Sequence, residues 1–363
     1  MKIAVVLPPS FTFCVEKPHS IETVVRTMMI GPDFGHDVRV FCDKGANNHG
    51  NVSVTTVDTG GSKSQRDRNM ARALSDYDPN YTEFHHSAKS ARLFAKAIPN
   101  SIRSFYRHNY IKHPKNWLQR FEQQRRYGAF DRFIFVSNGT REDFLSAFPQ
   151  FSARAHSVFN PIDASIWASD PAAKKKTIVF AARAMPEKGL APLCDALALA
   201  LPSHPDWRAV LILGGFDTHK DWAQEQIDKL VPLGAQTEVL KNQPLQVVRE
   251  NLQSASIAVI PSLWQDPFPL SGLEAHAAGC AVISSGSGGL RDISGPHALY
   301  LDKTDGPNIA DALTRLMNDE DLRHKLMSGG LNYARTEHTI IQRATELNTI
   351  REYGRPSNAS VAA

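Results

Sequence analysis

The chain has 363 residues, of which 42% are hydrophobic and 21% are charged, and its formal net charge is +4. This length exceeds what one hydrophobic core usually supports, so we expect two domains. The composition excludes a disordered chain, and no run approaches the roughly 20 apolar residues of a membrane-spanning helix. The four cysteines are scattered without metal-ligand spacing, which predicts a reduced, cytosolic compartment and no structural zinc.

The first half of the chain alternates short β-rich segments with helical segments, the pattern of a parallel sheet with crossover helices. Its first run, KIAVVL, is predicted to be a buried strand, because its apolar part is too short for a signal peptide. The other predicted strands are DVRVFC, IRSFYRH and DRFIFVS, and the predicted helices are SIETVVRTMMI and SKSQRDRNMARALSD.

The second half shows the same alternation and ends in one more helix over 338–354. Its predicted strands are KTIVFAAR, WRAVLILGG, QTEVLKN, SIAVIPS and CAVISSG, and its other predicted helices are GLAPLCDALALAL, LQVVRENLQSA, SGLEAHAAG and GPNIADALTRLMNDE. The Pro-, Ala- and Lys-rich stretch 160–176 is predicted to be a linker. The sequence therefore predicts an α/β protein with doubly wound domains at 1–160 and 161–337, followed by a terminal segment at 338–363.

Two cations, Arg183 and Lys188, follow the predicted strand KTIVFAAR in the turn RAMPEKG. In open α/β sheets, ligands bind beyond the carboxyl ends of the strands. Arg binds a diphosphate through a fork of donors and Lys through a point charge, so this pair is a candidate diphosphate site. The alternative is that both are solvated turn cations.

Two carboxylates, Asp266 and Glu274, lie eight residues apart in the stretch PSLWQDPFPLSGLEA. We expect the helix that begins near Leu270 and Ser271 to offer its first amides to a phosphate, and Gly272 to allow close backbone approach. Glu274 is then placed to accept hydrogen bonds from ribose hydroxyls, and Asp266, at the loop tip, to reach hydroxyls at the other end of the ligand. The alternative is that both are ordinary surface charges.

Four stretches together resemble the retaining glycosyltransferases of GT-B family 4. They are FAARAMPEKGL, PSLWQDPFPLSGLEAHAAGCAVISSGSGGLRDI, SVFNPIDASIW and the pair SIETVV and GHDV. The resemblance implies two Rossmann-like domains that face a central cleft, with the C-terminal helix crossing back to the first domain. It also implies that a nucleoside diphosphate sugar, a sugar linked to UDP or GDP, binds the second domain and that no metal or other cofactor is needed.

The resemblance also implies a role for individual residues. Arg183 and Lys188 would hold the donor diphosphate and Glu274 the ribose, while the amides from Leu270 to Leu273 would hold a phosphate. His108, after IRSFYRH, stands where the family has a histidine beside the donor sugar. In EFHHS, on an adjacent strand, His85 and His86 are further candidates. The alternative for all three is a core or surface histidine, since the chain has 14.

Three features, at four positions, depart from the family pattern. Asp266, a candidate catalytic residue with His108, stands where the first Glu of a Glu-x7-Glu motif is usual and is one methylene shorter. Pro269 replaces a usual Gly and removes one amide donor. His19 and Ser20, candidates for the acceptor or phosphate loop, replace a Gly-Gly pair.

The stretch 103–132 is basic and aromatic-rich. Its basic residues Lys112, Lys115, Arg120, Arg125 and Arg126 are interleaved with Tyr110, Trp117, Phe121 and Tyr127. One interpretation is an amphipathic helix whose aromatic residues face the core, and the other is docking on an anionic membrane surface. Nucleic acid is not expected as a partner, because no nucleic-acid motif accompanies the charges.

The sequence as a whole predicts a cytoplasmic glycosyltransferase, with attachment to the inner membrane face left open. It would move a sugar, with retention, to a hydroxyl of a glycan or glycolipid in cell-surface polysaccharide or lipopolysaccharide synthesis. The departures leave open a catalytically silent nucleotide-binding or membrane-associated scaffold. Another alternative is a GT-B enzyme of other chemistry, such as a phosphorylase or an epimerase.

Overall fold

A computed structural model describes most of the chain as two compact units. The described residues are 1–15, 20–29, 31–45, 48–170 and 173–353. The first unit comprises Met1–Pro161 and the segment that begins at Ile340, and the second comprises Ile162–Thr339.

The first unit is built on a parallel sheet. Its strands are β1 (Lys2–Val6), β2 (Asp37–Asp43), β3 (Val54–Val57), β4 (Tyr81–His85), β5 (Ile102–Arg107), β6 (Arg132–Phe135) and β7 (Ala155–Ser157). They lie in the order β3-β2-β1-β4-β5-β6-β7, and every neighbouring pair is parallel. Parallel neighbours require crossover connections, which are mostly helical here.

Helices of the first unit connect these strands and cover a core rich in phenylalanine. They are α1 (Ser20–Met29), α2 (Lys63–Tyr77), α3 (Ala91–Ala97), α4 (Trp117–Tyr127) and α5 (Asn138–Ala147). Phe133 and Phe135 alternate along β6 and therefore share one face of the sheet. Both pack against Phe144 of α5 at ring-centroid distances of 4.9 and 5.0 Å.

The second unit is built on another parallel sheet. Its strands are β8 (Lys175–Arg183), β9 (Arg208–Gly214), β10 (Thr237–Lys241), β11 (Ala255–Ile260), β12 (Ala281–Ser284) and β13 (Ala298–Tyr300). Their order is β10-β9-β8-β11-β12-β13. The helices are α6 (Ala164–Trp167), α7 (Leu190–Ala200), α8 (Lys220–Asp228), α9 (Leu245–Ser254), α10 (Leu270–Ala277), α11 (Leu290–Ser294), α12 (Gly306–Asn318) and α13 (Glu320–Glu337).

Each sheet changes the direction of strand progression once. In the first unit the change lies between β1 and β4, and in the second it lies between β8 and β11. At each change, the crossover connections from the two adjacent strands leave on opposite faces of the sheet. This opens a crevice beyond the strand ends, where ligands bind. The predicted doubly wound α/β architecture is therefore confirmed, and the predicted strands agree with the structure to within two residues at each end.

The last helix, α14 (Ile340–Glu352), belongs to the first unit, as predicted. Its Arg351 binds both carboxylate oxygens of Glu83 on β4, at 2.8 and 3.0 Å. Near the same end of the helix, Asn348 pairs with His36 at 2.7 Å. These contacts tie the end of the described chain to the first sheet. Within the described residues, no helix is long and apolar enough to cross a membrane.

Candidate active site

The candidate residues of the second unit converge at the point where its strand order changes direction. Arg183 is the last residue of β8, and the loop that carries Asp266 follows β11. Since β8 and β11 are parallel neighbours, their carboxyl ends meet at one edge of the sheet. The two clusters singled out in the sequence are therefore adjacent in space.

The turn after β8 is held against the loop after β11 by a glycine. Gly189 has φ +79°, and a Cβ at this position would overlap the carbonyl oxygen of Pro261. Leu263 N also donates to Glu187 O at 2.8 Å. Only a residue without a side chain allows this approach, so Gly189 fixes the distance between the cationic turn and the carboxylate loop.

Lys188 and Asp266 form an ion pair inside this arrangement. Asp266 is only 4% exposed, and its Oδ2 also accepts from Ser262 Oγ at 3.4 Å. The Lys188 ammonium lies 5.6 Å from the centre of the Trp264 ring. The alternative of an ordinary surface charge is wrong for Asp266, because this carboxylate is buried, and burying an ionised carboxylate is costly unless it is paired.

A second glycine loop, 286–289, supports the carboxylate loop from the other side. Gly289 N donates to Asp266 O at 2.7 Å, and Ser287 Oγ donates to Trp264 O at 2.8 Å. Gly288 has φ +62°, and a Cβ there would overlap the Asp266 backbone. This loop was not predicted from the sequence, although the run SSGSGG after a predicted strand is a signal for close backbone approach.

Helix α10 begins directly after the carboxylate loop, with Pro269 as its N-cap residue. The Gly272 amide donates to Pro269 O at 3.1 Å. The amides of Leu270 and Ser271 lie in the first turn, where no intrahelical acceptor exists, so they remain candidates for an anion. A Cβ at Gly272 would contact Ile260 and other apolar side chains at 3.2 to 3.6 Å. This glycine therefore allows α10 to pack on the core rather than a ligand to approach.

Glu274 is half-buried one turn into α10. Its carboxylate makes no hydrogen bond or ion pair within the part of the chain that the structure describes. Burial raises the pKa of Glu274 to about 7. A half-buried carboxyl group without a protein partner among the described residues is available to polar groups of a ligand.

Arg183 is exposed at the end of β8. Its guanidinium forms no ion pair or hydrogen bond among the described residues. The structure thus brings together Arg183, Lys188, Asp266 and the start of α10, with Glu274 one turn further on.

The remaining candidates lie in the first unit. His108 follows β5, and its Nε2 lies 2.8 Å from Nδ1 of His85, the last residue of β4. Burial and the neighbouring His85 lower the pKa of His108 well below its usual value. His86 has φ +66°, and burial lowers its pKa to about 4. The lowered pKa values favour the neutral forms of His108 and His86 at physiological pH.

Of the two candidates for the acceptor or phosphate loop, His19 and Ser20, only Ser20 lies within the described residues. Ser20 is the exposed first residue of α1, and His19 lies outside the described residues. No group of three or more His, Cys, Asp or Glu side chains in the described ranges is arranged to hold a metal ion.

Helix α4 carries most of the basic and aromatic stretch. Its side chains Trp117, Leu118 and Phe121 are 74%, 58% and 56% exposed. The interpretation that the aromatic residues face the core was therefore wrong for Trp117 and Phe121, and it holds for Tyr127, which is buried among phenylalanines. Arg125 lies 5.5 Å from the Phe121 ring centre.

Residues 162–332 match the family described as Glycosyl transferases group 1. The chain is 29% identical over 197 residues to alpha-maltose-1-phosphate synthase of Mycolicibacterium smegmatis, covering 49% of this chain and 48% of that protein. It is 24% identical over 283 residues to the putative glycosyltransferase YtcC of Bacillus subtilis, covering 71% and 69%. The chain thus spans about half the length of the first relative. The predicted resemblance to glycosyltransferases is confirmed over residues 162–332 at the level of glycosyl transferases group 1.

Solved structures show the same fold at low sequence identity. HepE of Anabaena, solved in complex with UDP and glucose, has a TM-score of 0.76 at 16% identity, covering 96% of this chain and 98% of that one. Sucrose-phosphate synthase from Thermosynechococcus elongatus has a TM-score of 0.74 at 14% identity, covering 96% and 98%. The predicted GT-B fold is confirmed.

Proposed function

We propose, from the match of residues 162–332 to glycosyl transferases group 1, that the chain is a glycosyltransferase. It takes a sugar from a nucleoside diphosphate sugar and passes it to a hydroxyl of a glycan or glycolipid, with retention of the anomeric configuration. The observation that carries this proposal is the half-buried Glu274, which has no protein partner among the described residues and lies one turn into α10, the helix that follows the loop paired with the β8 turn. Together Glu274 and the cations of that turn match the ribose and diphosphate of one donor.

The diphosphate interacts with positive charge and with helix amides. Arg183 is free to bind it by a fork of donors, and Lys188 adds a point charge from a position set by Asp266. The first amides of α10, at Leu270 and Ser271, contribute the partial positive charge of a helix N-terminus. These groups stabilise negative charge on the leaving diphosphate as the glycosidic bond breaks.

Glu274 accepts hydrogen bonds from the ribose hydroxyls. A hydroxyl pair that donates to this carboxylate stabilises its ionised form, so donor binding lowers the pKa that burial has raised. The base of the donor nucleotide is either uracil or guanine under this proposal. The structure of HepE in complex with UDP and glucose supports testing UDP-linked sugars first.

His108 and Asp266 act beside the reacting sugar. His108 is neutral and offers a hydrogen-bonding ring at the end of β5. Asp266 acts through Lys188 in this structure, and a direct contact to the donor sugar remains part of the proposal. Same-face attack, with the leaving diphosphate taking the acceptor proton, needs no enzymic nucleophile and no metal.

A transfer assay with a donor screen tests this proposal. Either UDP-sugars or GDP-sugars should raise the melting temperature, because a ligand of the folded state stabilises it by mass action. The best donor should then label a lipid or glycan acceptor, with EDTA leaving the rate unchanged. Nucleotide binding with no transfer to any membrane or polysaccharide fraction, and no donor hydrolysis, would support the silent scaffold instead.

The exposed side of α4 supports a second proposal, that the enzyme works on the cytoplasmic face of a membrane. Trp117, Leu118 and Phe121 are exposed on one helix, and the exposed cations Lys115 and Arg125 lie on or just before it. Aromatic side chains flanked by cations suit the interface of anionic lipid. A glycolipid acceptor in polysaccharide or lipopolysaccharide synthesis fits such a location.

A further inference from the structure

A series of polar contacts in the first unit leads from α14 to His108. Arg351 donates to both carboxylate oxygens of Glu83, at 2.8 and 3.0 Å. Glu83 and His85 are two residues apart on β4, so their side chains share one face of the strand. A Glu83 oxygen lies 3.8 Å from His85 Nε2, and His85 Nδ1 lies 2.8 Å from His108 Nε2.

The charge at the start of this series is well defined. Glu83 is 2% exposed, and burial alone would raise its pKa. The charge of the buried Arg351 and its two hydrogen bonds outweigh that effect and lower the pKa of Glu83 to about 2. The carboxylate is therefore ionised at any physiological pH.

An ionised carboxylate decides which His85 nitrogen carries the proton. An Nε2–H is attracted to the nearby Glu83 oxygen, whereas a lone pair on Nε2 would be repelled by it. In neutral His85 the proton therefore lies on Nε2, and Nδ1 is an acceptor. The contact between the two rings then requires that His108 donate its Nε2–H to His85 Nδ1.

We infer that Glu83 and His85 are positioning residues that fix His108 in the Nε2–H tautomer, so that His108 presents its Nδ1 lone pair. This inference rests on the proposed function in one respect, since the partner of that lone pair would be a hydroxyl of the donor or acceptor sugar. A hydroxyl donates to the lone pair, and the ring holds the sugar oxygen in place. His108 acts as an acceptor and not as an acid.

The surroundings hold both rings in this arrangement. The Tyr106 ring lies 4.8 Å from each imidazole, nearly parallel to both, at 13° and 9°. Tyr106 itself is buried, with an exposure of 1%. Burial, together with the positive charge of Arg107, disfavours a charged His108, which would have no lone pair to offer.

The tautomer can be observed directly, without substrate. In the full chain labelled with ¹⁵N at histidine, two-bond proton–nitrogen correlation spectra distinguish a protonated ring nitrogen from a lone-pair nitrogen. The His108 signals are assigned from their loss in His108→Gln. We expect Nε2 protonated and Nδ1 bare in His108, with the same pattern in His85. A His108 with Nδ1–H, or with both nitrogens protonated at pH 7.5, would overturn the inference.

Variants at His85 separate positioning from simple structural support. His85→Asn keeps an acceptor near the place of Nδ1, whereas His85→Leu removes it at similar volume. We expect His85→Leu to lose kcat on the order of 10²-fold, with KM for the donor nearly unchanged, because a reacting group is misplaced. His85→Asn should keep most of kcat, and His156→Asn, at a half-buried histidine of β7 outside this series, should match the parent chain.

Equal losses in His85→Asn and His85→Leu, with circular dichroism unchanged, would assign His85 a structural role and contradict the inference. Full activity in His85→Leu would contradict it as well. If the parent chain transfers no sugar at all, the proposed function fails on that result, and the ¹⁵N spectra still decide the tautomer.

Discussion

Lys188 and Asp266 are held as an ion pair by two loops that follow neighbouring strands, β8 and β11. Asp266 is buried, and Lys188 keeps a small exposed fraction of its side chain, 16%. This pairing gives the candidate cation a fixed position before any ligand arrives. Under the proposed function, Asp266 would affect diphosphate binding through Lys188.

Asp266→Asn should lower stability, because it leaves the Lys188 ammonium without its partner. Breaking a fully buried pair costs about 3–5 kcal/mol, and the residual exposure of Lys188 reduces the expected loss to about 1–3 kcal/mol. Urea unfolding measures the change. The control is Asp195→Asn, which breaks the exposed pair between Asp195 and Lys229 and should cost less than about 1 kcal/mol. Equal, small losses of unfolding free energy in both variants would mean that the Lys188–Asp266 pair does not stabilise the fold.

Glu274→Gln should change stability in a pH-dependent way. The pKa of Glu274 is raised to about 7 by burial, so between pH 4.5 and 7 the folded state holds a proton that the unfolded state has released. Stability of the parent chain therefore falls as pH rises through this window. The glutamine variant lacks this penalty and should gain in melting temperature over the parent chain as pH rises from 5 to 8.

The exposed Glu225 provides the control for that experiment, since Glu225→Gln on α8 should show no such trend in melting temperature with pH.

The same Glu274→Gln variant should bind nucleoside diphosphate more weakly, because the amide is a poorer acceptor for ribose hydroxyls than a carboxylate. A parallel pH trend in both glutamine variants, or a preserved preference for ribo- over deoxyribonucleotides, would remove Glu274 from the site.

Gly189→Ala should disrupt the contact between the cationic turn and the carboxylate loop. Gly189 and Gly215 both have positive φ, at +79° and +59°, but a Cβ at Gly215 meets nothing within 4 Å. Both alanine variants incur backbone strain of about 1 kcal/mol, and only Gly189→Ala adds the clash with Pro261. We expect Gly189→Ala to be the less stable variant in urea and to lose nucleotide binding. Equal unfolding midpoints would show that the turn moves freely.

Charge reversal and apolar removal on α4 test the membrane proposal. Arg125→Glu and Phe121→Ser should each reduce sedimentation with vesicles that contain anionic phosphatidylglycerol, and binding of the parent chain should weaken as salt rises. Leu199→Ser, at an exposed leucine of α7, serves as the control and should bind like the parent chain. Equal binding to neutral phosphatidylcholine vesicles, or no binding to either, would contradict the proposal.

The sequence predicted the parts of this site that depend on strand topology. Arg183 and the Asp266 loop are 83 residues apart (266 − 183), yet they meet because parallel strands carry their ends to one edge. The burial of Asp266 was not predicted, because it depends on Gly288 of a separate loop, and loop contacts leave no periodic signal. Nor does the composition of 103–132 indicate which side of α4 faces solvent.

Helix α13 shows a different reason for a missed element. The pair Gly329 and Gly330 lies in its middle, and glycine lowers helix propensity by about 1 kcal/mol relative to alanine. The structure explains both glycines, since a Cβ at Gly330 would overlap His276 and one at Gly329 would overlap His297. Packing against His276 and His297 therefore requires glycine at both positions, although glycine is unfavourable in the middle of a helix.

Isothermal titration of nucleoside diphosphates tests the central claim, that the cluster at β8 and β11 binds the donor diphosphate. UDP and GDP are titrated into the parent chain, Arg183→Ala, Lys188→Ala and Lys229→Ala, the last removing an exposed cation paired with Asp195. We predict that one of the two nucleotides binds, and that Arg183→Ala and Lys188→Ala each weaken binding by about 1.5–3 kcal/mol, roughly 10- to 150-fold in Kd, while Lys229→Ala matches the parent chain. Affinities that are equal in all four proteins would contradict the account.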